Sequence, residues 1–144
     1  MKKLLTLAIL IVSLAFSACN RDQLGTFQQL PQQAQTIINQ HFDQPSVSYV
    51  RIDKDLFSTE YEVVFNDGVE LDFNKKGELL KADCKRAQLP DALLPQPVLT
   101  YVQQSFPDAF VTEWKRDDRR WKAELNNGLE LIFNKNYDFV GIDD

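Results

Sequence analysis

Acidic side chains occur at alternate positions in two matching stretches of the chain, a pattern that places them on one face of a β-strand. Glu62, Glu70 and Asp72 lie in the first stretch, and Glu124 and Glu130 lie in the second. Paired carboxylates can bind calcium or act as acid and base in hydrolysis, but polar residues at alternate strand positions also form the ordinary solvated face of a sheet. Three interpretations therefore stay open: a solvated face, a protein- or peptide-binding face and a metal site.

No other set of residues points to catalysis. His41 is the only histidine, and Ser105 stands at the corresponding place in the second half of the chain. The sequence lacks a nucleophile paired with a base, a phosphate-binding glycine loop, a Cys-x-x-Cys pair and the spacing of metal ligands. We therefore expect a non-enzymatic protein with no catalytic residues, no metal and no cofactor.

Residues 1–18 are expected to be an export signal. Lys2 and Lys3 form a positive n-region, and the apolar run over residues 4–16 is too short to span a bilayer. Without these two lysines the 16 basic residues fall to 14 against 21 acidic ones, which gives a mature net charge of about −7. Such a charge opposes nucleic-acid binding and offers no polybasic attraction to anionic lipid.

Cys19 is the expected site of lipidation, because a small residue directly before a cysteine resembles the lipobox of bacterial lipoproteins. Phe16 departs from the aliphatic residue usual at its place, and simple cleavage after Ser17 is the alternative. A lipidated Cys19 predicts a periplasmic protein anchored to the outer membrane and leaves Cys84 as a lone thiol. A soluble exported form would instead permit a Cys19–Cys84 disulfide.

The elements that must position the acidic residues are built twice. Residues 66–75 return as residues 126–135 with seven of ten positions identical, and residues 30–32 return as residues 94–96. Residues 66–75 and their copy lie four residues closer together along the chain than residues 30–32 and their copy. A loop of the second copy has therefore lost four residues. A duplicated supersecondary unit is the simplest explanation.

Each unit is predicted to be a helix followed by four antiparallel strands. Apolar residues at helical spacing mark the two helices: Ala34, Ile37, Ile38 and Phe42 in the first, and Val98, Tyr101, Val102 and Phe106 in the second. A three-residue loop over residues 66–68 gives each central hairpin one coherent apolar face. That loop pairs Phe65 with Val69, Val63 with Leu71 and Tyr61 with Phe73, and puts Gly68 at positive φ.

The fold class predicted is therefore α+β, a tandem α-β4 repeat whose antiparallel sheet carries both helices on one face. The expected organisation is a signal peptide (1–18), a tether (19–29), a first repeat (30–84), a junction (85–93) and a second repeat (94–144). The two repeats are expected to form one compact domain. Val64 and Ile132 are apolar exceptions on the otherwise polar open face.

An export signal with a lipobox-like end, followed by two units bearing Asn-x-Gly-x-Glu-Leu-x-Phe-Asn-Lys, resembles the PepSY-like, β-lactamase-inhibitor-like family of secreted bacterial proteins. The resemblance is strongest to Bacteroidetes members and covers residues 28–144. It implies a tandem-repeat sheet whose open face can hold a protein partner, and it carries over no catalytic residues.

We therefore expect an exported binding module that recognises a protein or peptide of the cell envelope. The expected contacts are Glu62, Glu70, Asp72, Glu124, Glu130 and Ile132. The alternative is an inhibitor or propeptide-like regulator of a secreted hydrolase, either a protease or a β-lactamase. Nucleic acid is not an expected partner, and membrane contact is expected only through the N-terminal lipid.

Overall fold

The computed structural model describes residues 22–143 as a single antiparallel sheet of nine strands. The order of the strands across the sheet is their order along the chain. The strands are β1 (Gln23–Gly25), β2 (Val47–Lys54), β3 (Thr59–Phe65), β4 (Glu70–Asn74), β5 (Leu79–Asp83), β6 (Val111–Asp117), β7 (Arg120–Leu125), β8 (Glu130–Phe133) and β9 (Phe139–Asp143). The predicted export signal and Cys19 lie outside the described residues.

Two helices of ten residues each, α1 (Gln32–His41) and α2 (Gln96–Ser105), open the two repeats. Each begins directly after a proline, Pro31 or Pro95. The fixed φ and missing N–H of proline suit the start of a helix, where no backbone partner is available. Within residues 22–143, no helix is long and apolar enough to cross a membrane.

Both helices cover the same face of the sheet, as predicted. Their buried residues are Ala34, Ile38, Val98 and Val102. The ring of Phe42, directly after α1, lies 5.5 Å from that of Phe65 in β3, and Tyr101 in α2 lies 5.8 Å from Phe133 in β8. Phe65 and Phe133 are both buried, inward-facing residues of their hairpins, so these contacts fix both helices to one side. Burial of each large apolar side chain contributes about 1.5–3 kcal/mol.

The predicted hairpin register is confirmed in both repeats. The inward pairs are Tyr61 with Phe73, Val63 with Leu71, Trp121 with Phe133, and Ala123 with Leu131. Gly68 and Gly128 have φ values of +89° and +87°, and each donates its N–H to the carbonyl of the residue three places earlier. Glycine adopts this conformation without the steric cost that a Cβ would add.

One continuous sheet joins the repeats because β5 pairs with β6. Ala82 of β5 lies opposite Trp114 of β6, and the Trp114 ring stacks on that of Trp121 at 4.9 Å with an interplanar angle of 3°. Trp114 is buried on the face that the helices cover, with 2% of its surface exposed.

The expected tether is partly wrong. Residues 23–25 form β1, which pairs with β2 through Gln23 opposite Ile52 and Gly25 opposite Val50. A Cβ on Gly25 would lie 2.7 Å from the Ile52 side chain, so a glycine lets β1 approach β2 closely. A three-residue edge strand is too short to show the alternation that identifies strands in sequence. With β1 added, the sheet has nine strands, whereas two α-β4 units predict eight.

The turn between the third and fourth strands of each repeat differs between the copies. Gly77 has φ +84° in the first, and Tyr137 has φ +66° at the same place in the second. A Cβ on Gly77 would lie 2.8 Å from the backbone N of Ala34, so this turn presses against α1. Tyr137 instead extends over the tryptophan pair, with ring centroids 6.3 Å from Trp114 and 6.1 Å from Trp121.

Candidate functional site

The sheet surface opposite the helices, called here the open face, carries an uninterrupted line of carboxylates. Because adjacent strands pair residue against residue, side chains at paired positions stand beside one another. The acidic row consists of Glu70, Asp83, Glu113, Glu124, Glu130 and Asp143, each directly opposite the next on β4 to β9. The row therefore crosses from the first repeat into the second.

A second line, the lysine row, runs beside the acidic row, two residues away from it on each strand. Lys81, Lys115 and Lys122 are directly opposite one another on β5, β6 and β7. Asp72 on β4 ends this row at one side, opposite Lys81, and Ile132 on β8 ends it at the other, opposite Lys122. The centre of the open face is thus a band of two parallel rows with opposite charge.

Like charges directly opposite one another destabilise a sheet, and here the two rows neutralise each other. The ion pairs join Lys81 to Glu70 (2.9 Å), Lys115 to Glu113 (3.3 Å) and Glu130 (3.2 Å), and Lys122 to Glu130 (2.7 Å) and Asp143 (3.0 Å). At the rim, Lys85 adds pairs to Glu70 (2.9 Å) and Asp83 (2.7 Å). The charges are consequently held at fixed positions.

These ion pairs change the pKa values of two carboxylates in the acidic row. Hydrogen bonds from Lys81 and Lys85 lower the pKa of Glu70, and the hydrogen bond from Lys122 is the main cause of the lowered pKa of Glu130. Both carboxylates are therefore fully ionised at neutral pH. Ionised and held by lysines, Glu70 and Glu130 can bind cationic groups of a partner.

Asp72 behaves differently from its neighbours. Its pKa is raised to about 6, chiefly by burial; the Lys81 ammonium opposes the shift, and the nearby carboxylates of Glu62, Glu70 and Glu60 add to it. Among the residues described, Asp72 has no ion pair within 4.0 Å. Asp72 is thus an open-face acid whose pKa lies near the physiological range, and its protonation would change the charge of the lysine row.

A shallow depression of about 380 Å³ lies where the two repeats meet on the open face. Its lining consists of Glu60, Asp72, Leu80, Lys81, Lys115, Arg116 and Asp118. Next to this depression, on the side of β2, Arg51 forms an ion pair with Glu62 at 2.9 Å. The lining is of mixed charge and open to solvent, which suits contact with a polar surface better than enclosure of a small apolar ligand.

Apolar side chains border the charged band. Tyr49 of β2 lies directly opposite Val64 of β3 and is 42% exposed. At the other side of the sheet stands Ile132, opposite Gly141 of β9. These residues flank the charge rows, an arrangement that gives a bound partner apolar contact on either side of a polar centre.

The structure places all six predicted contact residues on the open face. Glu70, Glu124 and Glu130 are brought together in the acidic row, and Ile132 lies beside Lys122. Glu62 and Asp72 are directly opposite each other on β3 and β4, nearer β2. The lysine row and the acids of β5 and β6 were missed, although Ala82 alternates with Lys81 and Asp83 in the sequence and marks their face.

The other candidates for chemistry lie elsewhere. His41 is the last residue of α1, and Cys84 is a free thiol that is 5% exposed. Burial raises the pKa of the Cys84 thiol to about 11, which makes it a poor nucleophile at neutral pH. Within residues 22–143, no group of three or more His, Cys, Asp or Glu side chains could hold a metal ion.

Comparison with known proteins identifies relatives over the whole described chain. A family described as "Putative beta-lactamase-inhibitor-like, PepSY-like" matches twice, over residues 17–81 and 59–140. No match was found among curated proteins.

Three solved structures from Bacteroides share the fold. A "putative periplasmic protein" of the DUF2874 family from Bacteroides vulgatus is 33% identical, with a TM-score of 0.81 over 88% of this chain and 99% of its own. A "putative calcium-regulated periplasmic protein" from Bacteroides thetaiotaomicron is 34% identical, with a TM-score of 0.78 over 85% and 97%. A "putative periplasmic protein of unknown function" from Bacteroides vulgatus is 35% identical, with a TM-score of 0.77 over 85% and 99%.

The family is thus inhibitor-like by description, its solved relatives are described as periplasmic, and one of them is described as having unknown function. The double match agrees with the repeated helix and strands, and the likeness extends over nearly the full length of each relative. The chain belongs to the PepSY-like, β-lactamase-inhibitor-like family.

Proposed function

We propose that this protein is a non-enzymatic, exported binding module that recognises a protein or peptide of the cell envelope through its open face. The observation that carries the proposal is the pair of oppositely charged rows, held at fixed positions across both repeats. A merely solvated face has no need to align like charges over neighbouring strands. Complementary charge patterns contribute specificity and rapid association in protein recognition.

The contact residues proposed are Glu62, Glu70, Asp72, Glu124, Glu130 and Ile132, together with Lys81, Lys115 and Lys122. The acids would receive cationic groups of the partner, and the lysines would fix its register. Tyr49 and Ile132 would supply apolar contact at the two sides of the charged band.

We further propose that the protein reaches the envelope as a lipoprotein modified on Cys19. The sequence supports this through the small residue before Cys19 and the apolar run that precedes it. Incorporation of labelled palmitate into the full-length protein, and its absence in Cys19→Ala, is the expected result. Equal incorporation in both chains would contradict it.

The recognition role can be tested by charge reversal. Glu70→Lys combined with Glu130→Lys reverses two carboxylates of the acidic row, each of which is paired with two lysines. Asp91→Lys combined with Asp108→Lys makes the same change of charge at exposed positions outside the sheet. Affinity purification from cells, with quantitative mass spectrometry, is expected to recover one envelope protein with the wild type and the control but not with the first variant.

Surface ion pairs contribute about 0–1 kcal/mol, so both variants should remain folded, which a thermal melt can verify. Identical protein recovery with all three folded chains would contradict recognition through the acidic row.

Inhibition of a secreted hydrolase is the second candidate, favoured by the description of the family. In this case the partner on the open face would be a β-lactamase or protease of the producing cell. Inhibition assays of those enzymes with the purified protein would decide between the candidates. Loss of inhibition in the Glu70/Glu130 variant is expected if this candidate is correct, and full activity of every enzyme tested would exclude it.

A further inference from the structure

The loop between β2 and β3 exposes two large apolar side chains at its tip. Leu56 is 89% exposed and Phe57 is 91% exposed. The loop is a closed turn, because the N–H of Asp55 donates to the carbonyl of Ser58 at 3.0 Å. The turn therefore holds Leu56 and Phe57 at its outermost point, where nothing in the described chain covers them.

The second repeat shows that a hairpin at this place does not need an apolar tip. The equivalent turn between β6 and β7 is formed by Asp118 and Arg119, both charged and exposed. The four residues by which the first repeat is longer include Leu56 and Phe57. This difference indicates that the apolar tip serves something other than the turn itself.

The chain enters the fold at the same end of the sheet as this tip. Gln23 of β1 is paired with Ile52 of β2, so Asp22 lies toward Asp53 and the start of the loop. Cys19 precedes Asp22 by three residues, and three residues span at most about 11 Å. A lipid on Cys19 would therefore hold this end of the sheet, and not the opposite one, at a bilayer.

The surroundings of the tip also suit a phospholipid surface. Phe57, Lys75 and Lys76 line one shallow depression of about 190 Å³, which places two ammonium groups beside the apolar tip. Glu60 and Glu78 line the same depression and Asp55 lies in the turn, so these acids offset the charge of the lysines. Apolar contact is therefore the main attraction, with the lysines near the level of the headgroup phosphates.

We propose that Leu56 and Phe57 insert into the phospholipid surface to which the lipid on Cys19 holds the protein. This contact would point the end of the sheet that carries the β2–β3 loop toward the bilayer. The open face would remain accessible at the side of the molecule. The inference rests on the proposed lipidation of Cys19, and it is independent of what the open face binds.

Photocrosslinking in living cells can test the contact with the full-length chain. A benzophenone amino acid at Ser58 leaves both apolar residues in place, and the same probe at Arg119 marks the equivalent tip of the second repeat. Intact-mass analysis of the purified protein is expected to show a phospholipid adduct from Ser58 and none from Arg119. Leu56→Asp combined with Phe57→Asp should abolish the Ser58 adduct without lowering the melting temperature, because both side chains are exposed.

Two results would overturn the proposal: equal lipid adducts from both tips, or no lipid adduct from Ser58. A protein adduct from Ser58 in place of lipid would also overturn it and would identify the tip as a protein contact. Since the probes at Ser58 and Arg119 do not lie in the charged band, none of these results bears on recognition by the open face.

Discussion

Gly77 and Tyr137 occupy equivalent turn positions at positive φ, but the turns meet different surroundings. Gly77 faces the backbone of Ala34, whereas Gly128, also at positive φ, has no atom within 4 Å of the place of a Cβ. Comparison of these two glycines separates the conformational cost of a side chain from the cost of a clash.

Substitution Gly128→Ala is expected to lower the free energy of unfolding by about 1 kcal/mol, the cost of a Cβ at positive φ. Substitution Gly77→Ala is expected to cost roughly 2–3 kcal/mol, since a backbone clash with α1 is added. Urea unfolding of both variants measures the difference. Equal losses would show that the turn at Gly77 can move away from α1.

Asp72 gives the open face a predictable dependence on pH. Its carboxyl ionises at about 6 in the fold, against an ordinary value of 3.8. Between these values the unfolded chain releases the proton first, so Asp72 lowers stability as the pH rises from about 4 to 6 and has a constant effect above that range.

The variant Asp72→Asn is therefore expected to be more stable than the wild type above pH 6, by about 1 kcal/mol after allowance for solvent screening. The gain should disappear below pH 4. Thermal melts from pH 4 to pH 8 measure it, with Asp91→Asn as an exposed control. A gain that does not depend on pH would contradict the assigned cause.

At the scale of elements, the hairpins could be predicted from sequence because large apolar residues alternate strictly in them. Tyr61, Val63 and Phe65 leave one register that buries a coherent face. The facing of β6 could not be predicted, since a bulge between Val111 and Glu113 interrupts its alternation. From the sequence, the charged residues assigned to the open face were all acidic. The lysine row becomes evident only from the pairing of β5 with β6.

The helices depend on the sheet for their stability, because a helix of ten residues is marginal in water. Ile38 of α1 is fully buried, while its neighbour Ile37 is only half-buried. Ile38→Ala is expected to lower the free energy of unfolding by about 2–5 kcal/mol, and Ile37→Ala by less. Chemical denaturation of both variants measures the ranking, and a larger loss at Ile37 would contradict the packing of α1.

At the scale of the whole molecule, the two repeats are expected to unfold together. The sheet is continuous across Lys81, Ala82 and Asp83 of β5 and their partners on β6, and the core extends under both helices. No separate domain boundary interrupts the described sheet. A small domain with one core usually unfolds in a single cooperative transition.

Leu71 and Leu131 are fully buried equivalents in the two repeats and allow this to be checked. Each alanine substitution is expected to lower one shared melting temperature. Far-ultraviolet circular dichroism reports on the whole sheet, and near-ultraviolet circular dichroism reports mainly on Trp114 and Trp121 in the second repeat. Separate transitions by the two probes would show that the repeats are independent domains.

The same continuity makes one surface from two repeats. The acidic row begins in the first repeat at Glu70 and ends in the second at Asp143. A partner that follows the row would therefore contact both repeats at once, and neither repeat alone would present the full pattern of charge.

Recognition of a partner through the open face can be tested by photocrosslinking in living cells. A benzophenone amino acid at Ile132 lies beside the lysine row, and the same probe at Gln104 lies exposed on α2, on the opposite face. We predict one dominant protein adduct from Ile132 that is absent from Gln104 and is lost when Glu70 and Glu130 are reversed to lysine. The same adducts from both positions, or none from Ile132, would contradict recognition through the open face.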